Sequence, residues 1–336
     1  MTAAVALETY FSSVSSADAQ GATDFVLEMF DEGTPVQRIT GEVLGPAQVR
    51  VGELWQQGDW SVADEHAATA VTEAAVLALG HAARPRAMAE QRHIVVACVE
   101  GEWHTLPARM AAVAGANPGT RVTVLGPSLP ADQLARRLSS GDVDLLALSC
   151  TMPTNLLGAS RCIEAAHEHG VPVLVGGRAF GDTPLRAHAL GADSWSNDPA
   201  ALHQPPPAKT GLAVEASLEV LVLDAVDTAV VALAYDRMVA AFPRLATMTP
   251  EQQARTREDF GWMARHTAAA LLTDDPLIVD ELLLWLCSLL AGRVPLEVIT
   301  TSALLLADAV EPEAPRGAEV LRQAAGRVAS PRQASA

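Results

Sequence analysis

Three stretches with different hydrophobic periods follow one another along the chain. Up to about residue 85 the apolar positions recur at helical spacing. Residues 22–30 form one such stripe, which Glu32-Gly33-Thr34-Pro35 ends. Val36, Ile39, Val43 and Leu44 predict a second helix, and Val49, Val51, Leu54 and Trp55 carry the pattern onward. Gly58-Asp59 reads as a turn. Ser61, with Asp64 three residues later, is an N-cap with an acidic first turn and predicts a helix over 62–79. Trp55 therefore closes one helix and Glu65-His66 open the next, at the same end of a hairpin.

From His93 to about Ser196 the period shortens. The runs 94–99, 121–126, 143–150 and 171–177 are apolar and β-branched, and helical stretches at 106–114, 130–138 and 154–169 separate them. This alternation predicts a doubly wound parallel sheet, Rossmann-like and of the flavodoxin type. Ligand sites in such sheets lie at the carboxyl ends of the strands. Glu102-Trp103-His104-Thr105 follows the first run, Ser149-Cys150-Thr151 ends the third, and Gly176-Gly177 ends the fourth. Three prolines at 205–207 then predict a stiff linker over 201–212.

Beyond the linker the helical period returns, first as a long run over 213–242. Thr249, with Pro250 and Gln252, is a capping signature that opens 250–272. Asp275-Pro276 opens a helix through Leu290, and Pro295 opens a fourth; the last residues, from Ser330, are expected to be disordered. The predicted class is α/β plus all-α: a helical bundle (1–88), a sheet domain (89–200), the linker, and an all-α unit (213–330).

Composition narrows the classes of function. A 49% hydrophobic chain of 336 residues supplies several cores, and at 4% aromatic content each tryptophan is a scarce choice. A net charge of −17, with no Lys/Arg stripe, is unsuited to a phosphate backbone, so direct nucleic-acid binding is not expected. The amino terminus lacks a signal-peptide pattern and no apolar run reaches membrane-spanning length, so the expected location is cytoplasmic, without membrane contact. Four scattered cysteines without a CxxC pair fit a reduced setting.

Taken singly, the polar candidates are ordinary. A loop histidine is usually solvated, a Gly-Gly after a strand is usually a turn, and a helix-end tryptophan is usually core. Their order is less ordinary. Trp55-x9-Glu65-His66, followed by Glu102-x-His104, resembles the light-sensing adenosylcobalamin-binding modules. In those proteins the first pattern covers the upper corrin face, and an Asp/Glu-x-His-x-x-Gly loop supplies the lower cobalt ligand. The resemblance implies that His104 ligates cobalt while Glu102 fixes its tautomer. It implies that Trp55 and Val62 pack on the adenosyl group, that Glu65 accepts from the ribose hydroxyls, and that His66 supports Glu65. Trp103 and Thr105 would flank the ligand in the loop, Ser149 and Thr151 would line the nucleotide tail, and Gly176 and Gly177 would admit it. Two positions depart from the family: Pro107 stands where the loop pattern has glycine, and Gln56 where the DNA-binding relatives have histidine. Those relatives also carry an amino-terminal helix-turn-helix unit, for which no counterpart is expected ahead of the bundle.

The all-α unit resembles the globin-like domain of the photocobilins, which sense light with both adenosylcobalamin and biliverdin. That likeness implies a slot beside the stripe Phe260, Met263, Ala264, Thr267 and Leu271, lined by Tyr235, Trp262 and His266, with Arg257 and Arg265 meeting propionates. Cys287 reads as core rather than as a covalent anchor. A plain helical dimerisation domain accounts for the same residues. The function implied is that of a photoreceptor without a catalytic domain, which signals by light-dependent self-association or through a protein effector. The alternative is a corrinoid methyl carrier, which needs the open upper face that Trp55, Glu65 and His66 would close.

Overall fold

The computed structural model describes residues 1–84, 92–204, 206 and 214–330. Most of the linker expected over 201–212, and all but Ser330 of the end expected to be disordered, lie outside those residues. The chain packs as two compact units. The first comprises 1–150, 165–177 and 193–210; the second comprises 151–164, 178–192 and 211–336.

The first unit opens with helices α1 (Ala3–Ser15), α2 (Ala19–Asp31) and α3 (Val36–Arg38), a π-helical stretch (Ile39–Leu44), then α4 (Gly45–Gln57) and α5 (Val62–Ala82). The expected helix over Val36–Leu44 is thus mostly a widened π segment that runs straight into α4. Gly58, at φ 81°, closes α4 in the left-handed region that glycine adopts without strain. Ser61 and Asp64 then form a reciprocal capping box, which starts α5 at the residue expected. Tyr10, Val26, Ile39, Leu44, Val51, Val76 and Leu79 make the bundle core, and Leu106 joins it from outside the bundle.

Five parallel strands follow: β1 (Arg92–Cys98), β2 (Thr120–Val124), β3 (Leu145–Ser149), β4 (Val173–Gly176) and β5 (Ser194–Trp195), in the order β2-β1-β3-β4-β5. Helices α6 (Thr105–Ala114), α7 (Ala131–Leu138), α8 (Leu156–Glu168) and α9 (Leu185–Ala189) connect them. This is the Rossmann-like sheet that the alternation predicted. The two-residue β5 and five-residue α9 are too short to have shown a period. One sheet face (Ile94, Val96, Cys98, Leu145, Ala147, Leu174) packs against Ala108 and Ala112 of α6 and against Leu202.

The second unit is helical: α10 (Leu218–Asp224), α11 (Thr228–Ala241), α12 (Pro250–Thr273), α13 (Leu277–Leu289), α14 (Leu296–Val310) and α15 (Pro315–Ala329). The continuous run expected over 213–242 is broken at Ala225–Asp227. The Asp227 carboxylate accepts from the Ala229 amide at 2.6 Å and starts α11 afresh. Thr249 and Gln252 form the expected capping box of α12. Segments 151–164 and 178–192, which follow β3 and β4 in the chain, belong to this unit. In it Arg186 of α9 donates to Asp275 at 2.7 Å, to Glu281 at 2.8 Å and to the Ala179 carbonyl at 3.1 Å. No helix of the described residues is long and apolar enough to cross a membrane.

Candidate functional site

The carboxyl edge of the sheet carries the site in the first unit. β1 ends at Cys98, and the chain turns through Gly101 (φ 88°) before His104 becomes the residue that caps α6. Glu102 is completely buried. Its Oε1 accepts from the His104 backbone N–H at 2.9 Å and bonds His104 Nδ1 at 2.5 Å. That pair assigns the tautomer: Nδ1 carries the proton and Nε2 presents a lone pair. The His104 side chain is 56% exposed, so Nε2 is open to a ligand. The bond to Glu102 holds the imidazole above its ordinary pKa against the opposing effect of burial, and the Glu65 carboxylate adds to the rise. A more basic imidazole is a stronger donor to a metal once deprotonated. The neighbouring Cys98 thiol, 3.6 Å from the His104 carbonyl, is pushed up to about 11 by burial and by Glu102. Burial and that carboxylate both disfavour its thiolate, the form that binds metal, whereas the His104 side chain is exposed.

Pro107 occupies the third residue of α6, where an N–H has no intrahelical partner to lose. Register places Cys98 beside Ser149, and Ser149 beside Gly176, so Ser149 and Gly176 share a sheet face. A Cβ on Gly176 would come 2.5 Å from the Ser196 carbonyl oxygen. One on Gly177, which sits at φ 101°, would strike the Cys150 carbonyl. The backbone of the edge therefore demands both glycines, whatever lies above them. Asn197, which the sequence did not single out, accepts from the Gly177 N–H at 3.0 Å. Thr151 begins the segment assigned to the second unit.

Above this edge lies α5. Thr105 Oγ1 donates to Glu73 Oε1 at 3.2 Å, and a Cβ on Gly80 would come 2.8 Å from Val113. Residue 73 thus meets residue 105, and residue 80 meets residue 113. The two helices run alongside each other in the same direction. The eleven residues of α5 before Glu73 extend about 16 Å past the start of α6, out over the His104 loop. Val62, Glu65, Thr69 and Glu73 fall on one helical face. Since Glu73 faces the loop, so does Glu65, in accord with its effect on His104. Val62 is 55% exposed, Trp55 at the end of α4 is 37% exposed, and Trp103 is 72% exposed. Trp60, five residues from Trp55, instead stacks on Phe11 at 6.0 Å and is part of the packing. Exposed apolar residues occur elsewhere, Leu218 among them, so exposure alone decides nothing. Here it coincides with an open imidazole nitrogen and a facing carboxylate. His66 is largely exposed, with Nε2 3.8 Å from Glu65.

Two B12 binding domains match the chain. One model of that description covers residues 92–201, and a second covers residues 6–79. Between them they take in Trp55, Val62, Glu65, His66, the Glu102–Thr105 loop, Ser149, Thr151, Gly176 and Gly177. Cobalamin is the cofactor these matches support. The HTH-type transcriptional repressor CarH of Myxococcus xanthus is 32% identical over 185 residues. The match covers 51% of this chain and 58% of the repressor, little more than half of that relative's length. The monomethylamine corrinoid protein of Methanosarcina barkeri superposes with a TM-score of 0.51 at 17% identity, over 60% of this chain and 96% of that one. That likeness is one of fold.

The candidates of the second unit lie outside both matched ranges. Arg257 covers the buried Tyr235 ring at 3.9 Å, and Arg265 lies 5.0 Å from Trp262. Each cation is thus engaged with an aromatic face. His266 is buried; its Nδ1 donates to the Trp262 carbonyl at 2.8 Å, which leaves Nε2 as an acceptor. Phe260, Met263, Ala264 and Thr267 are buried as the stripe predicted, with Leu271 half-buried. Cys287 departs from expectation. Instead of lying in the core it is half-buried, and it lines a hollow of about 440 Å³ with Ala291, Pro295 and Ile299. The helix turns its apolar Leu282, Leu283 and Leu286 inward instead.

Burial, opposed by the bond to Trp262, pushes the His266 imidazole down to about 4. The unfolded chain takes up this proton near pH 6.5, while the folded unit takes it up only near pH 4. His266 thus contributes stability above pH 6.5 that is lost as pH falls through that window, by up to about 3 kcal/mol. Asp259, raised by burial to about 6, acts in the opposite sense, since its folded form holds a proton that the unfolded form releases. Replacing His266 by glutamine should flatten the fall in melting temperature between pH 7 and pH 4.5. An unchanged pH profile would show that the imidazole is accessible to protons in the folded state.

Proposed function

We propose that the chain is a light sensor that holds adenosylcobalamin between His104 and the α4–α5 hairpin. The overhang of α5 carries this reading, because it sets Val62 and Glu65 opposite an imidazole whose free nitrogen points outward. His104 Nε2 would hold the cobalt, with its tautomer held by Glu102. Glu65 accepts from the ribose hydroxyls, Val62 and Trp55 pack on the adenosyl group, and His66 assists Glu65. Trp103 and Thr105 flank the ring, while Ser149, Thr151, Gly176 and Gly177 take the nucleotide tail. When bound, the cofactor supplies a cobalt–carbon bond that visible light breaks. Trp55 and Glu65 would then lose their packing and hydrogen-bond partner, and the hairpin would be free to shift against α6. The signal is then a change in self-association or in contact with a protein partner, in keeping with the charge of −17.

The proposal extends to the second unit. We infer that this helical unit is globin-like, and its buried His266 with the Arg257 and Arg265 cations supports biliverdin as a second chromophore. The pyrrole N–H groups would donate to His266 Nε2, and the propionates would draw the cations off Tyr235 and Trp262.

One experiment separates the sensor from the methyl carrier. The protein is loaded in the dark with adenosyl- or methylcobalamin, with biliverdin present, and elution volume is measured before and after green light. The sensor predicts at least tenfold preference for the adenosyl form and a light-induced change in elution volume. Preferential uptake of the methyl form would establish the carrier reading instead. A retained far-red band would support biliverdin, and its absence would remove that part.

A further inference from the structure

Glu65 is held by a chain of hydrogen bonds that reaches the bundle core. Thr69, one turn along α5, places its hydroxyl 2.9 Å from Glu65 Oε1 and 3.2 Å from Gln48 Oε1. Gln48 Nε2 donates to Thr72 Oγ1 at 2.6 Å, and the Tyr10 hydroxyl donates to the same oxygen at 3.1 Å. Thr72 in turn donates to the Ala68 carbonyl at 3.3 Å. Tyr10 and Thr72 are fully buried.

The hydroxyl protons constrain the directions in this chain. Thr72 gives its one proton to Ala68, so its oxygen can only accept from Tyr10 and Gln48. Gln48 turns its NH₂ toward Thr72 and its carbonyl toward Thr69. Thr69 has one proton and two acceptors, Gln48 and Glu65. The carboxylate is nearer and charged, and it wins the larger share. Gln48 also lies two turns before Trp55 on α4, on the same helical face. The Thr69–Gln48 contact thus ties the helix that carries Trp55 to the helix that carries Glu65.

We propose that Thr69 is a positioning residue of the upper-face site. Its hydroxyl aims Glu65 and, through Gln48, sets the spacing between Glu65 and Trp55, so it determines preference for the adenosyl form. Ligand hydroxyls that donate to Glu65 weaken its hold on the Thr69 hydroxyl, whose hydrogen bond then re-aims toward Gln48 and tightens α4 on α5. This inference rests on the adenosyl reading of Glu65.

The test measures dissociation constants for adenosyl-, methyl- and hydroxocobalamin in the dark, with the full chain and Glu65→Gln, Thr69→Val and Thr69→Ser variants. Thr69→Val keeps the branched shape and removes the proton. It should weaken adenosylcobalamin about tenfold and leave hydroxocobalamin, held through His104, within twofold. Thr69→Ser should restore adenosyl binding to within about threefold of the parent. Equal weakening of all three forms by Thr69→Val, with no rescue by serine, would mean a merely structural role and overturn the proposal. Loss of preference in Glu65→Gln but not in Thr69→Val would overturn it while sparing the adenosyl reading. Unchanged preference in Glu65→Gln would remove the reading and this inference together.

Discussion

Replacing His104 by alanine is expected to cost at least a hundredfold in cobalamin affinity and to move the visible spectrum to that of a cobalamin without a protein nitrogen. The reason is geometric. Glu102 is buried and spends Oε1 on both the backbone N–H and Nδ1 of His104, so the ring is fixed before any ligand arrives. Such preorganisation means that the lone pair on Nε2 is offered without an ordering cost. The neighbouring thiol of Cys98 is pushed up to about 11 by burial and by Glu102, and it faces the His104 carbonyl. Glu102→Gln keeps an acceptor and removes the charge, so its effect should be smaller, about ten- to a hundredfold, as is usual for partners of metal-bound histidines. The graded pair is the check. An alanine variant that kept the parent's affinity and spectrum would exclude His104 as the ligand. A Glu102→Gln variant weaker than His104→Ala would place the carboxylate, not the imidazole, at the centre of the site.

The second large effect concerns stability. Arg186→Met is expected to destabilise the second unit by about 3–5 kcal/mol, because it strips the counter-charge from a buried carboxylate. Asp275 is buried, and its Oδ1 already accepts from the Leu277 amide at 3.1 Å, while Arg186 neutralises Oδ2. Arg186 donates from three nitrogens to three oxygens, so little of its desolvation is left unanswered. Glu281 is different. Its side chain is more than half exposed, and Glu281→Gln should cost no more than about 1 kcal/mol. A loss near 4 kcal/mol should lower the melting temperature of a unit this size by about 10 °C. Equal losses in the two variants, or a cost under about 1 kcal/mol for Arg186→Met, would show that the buried pair is no anchor. Arg186 follows Gly177 by nine residues. The anchor therefore fastens α9 within the helical unit.

Much of the site was legible because its signals are local. A capping box needs residues three apart, and Ser61 and Asp64 set the start of α5 in structure as in sequence. Four of the five strands showed as apolar β-branched runs, and their ends placed His104, Ser149 and Gly176 on one edge. Glu102 and His104 are two residues apart, and their bond forms within a single loop.

What stayed hidden depends on which face meets which partner, and periodicity does not encode that. Apolar spacing carried one helix across 213–242 because both α10 and α11 present apolar faces; only the Asp227 cap divides them. Glu73, Thr69 and Gln48 carry no motif, although Thr69 and Glu73 stand one and two turns beyond Glu65 and share its face. Tyr10 reaches Thr72 across 62 positions, and Arg186 reaches Asp275 across 89. Chain order likewise put 151–164 and 178–192 with the sheet, while packing gathers them with the carboxy-terminal helices. The sequence by itself determined most of the elements, the caps at Ser61 and Thr249 and the histidine loop, since each follows from residues within a turn or two of one another. Tertiary structure alone decided that α5 overhangs His104, that Glu65 is braced from the core, and that Arg186 is buried against Asp275. Those contacts join faces whose partners lie tens of residues away, and only packing selects among them.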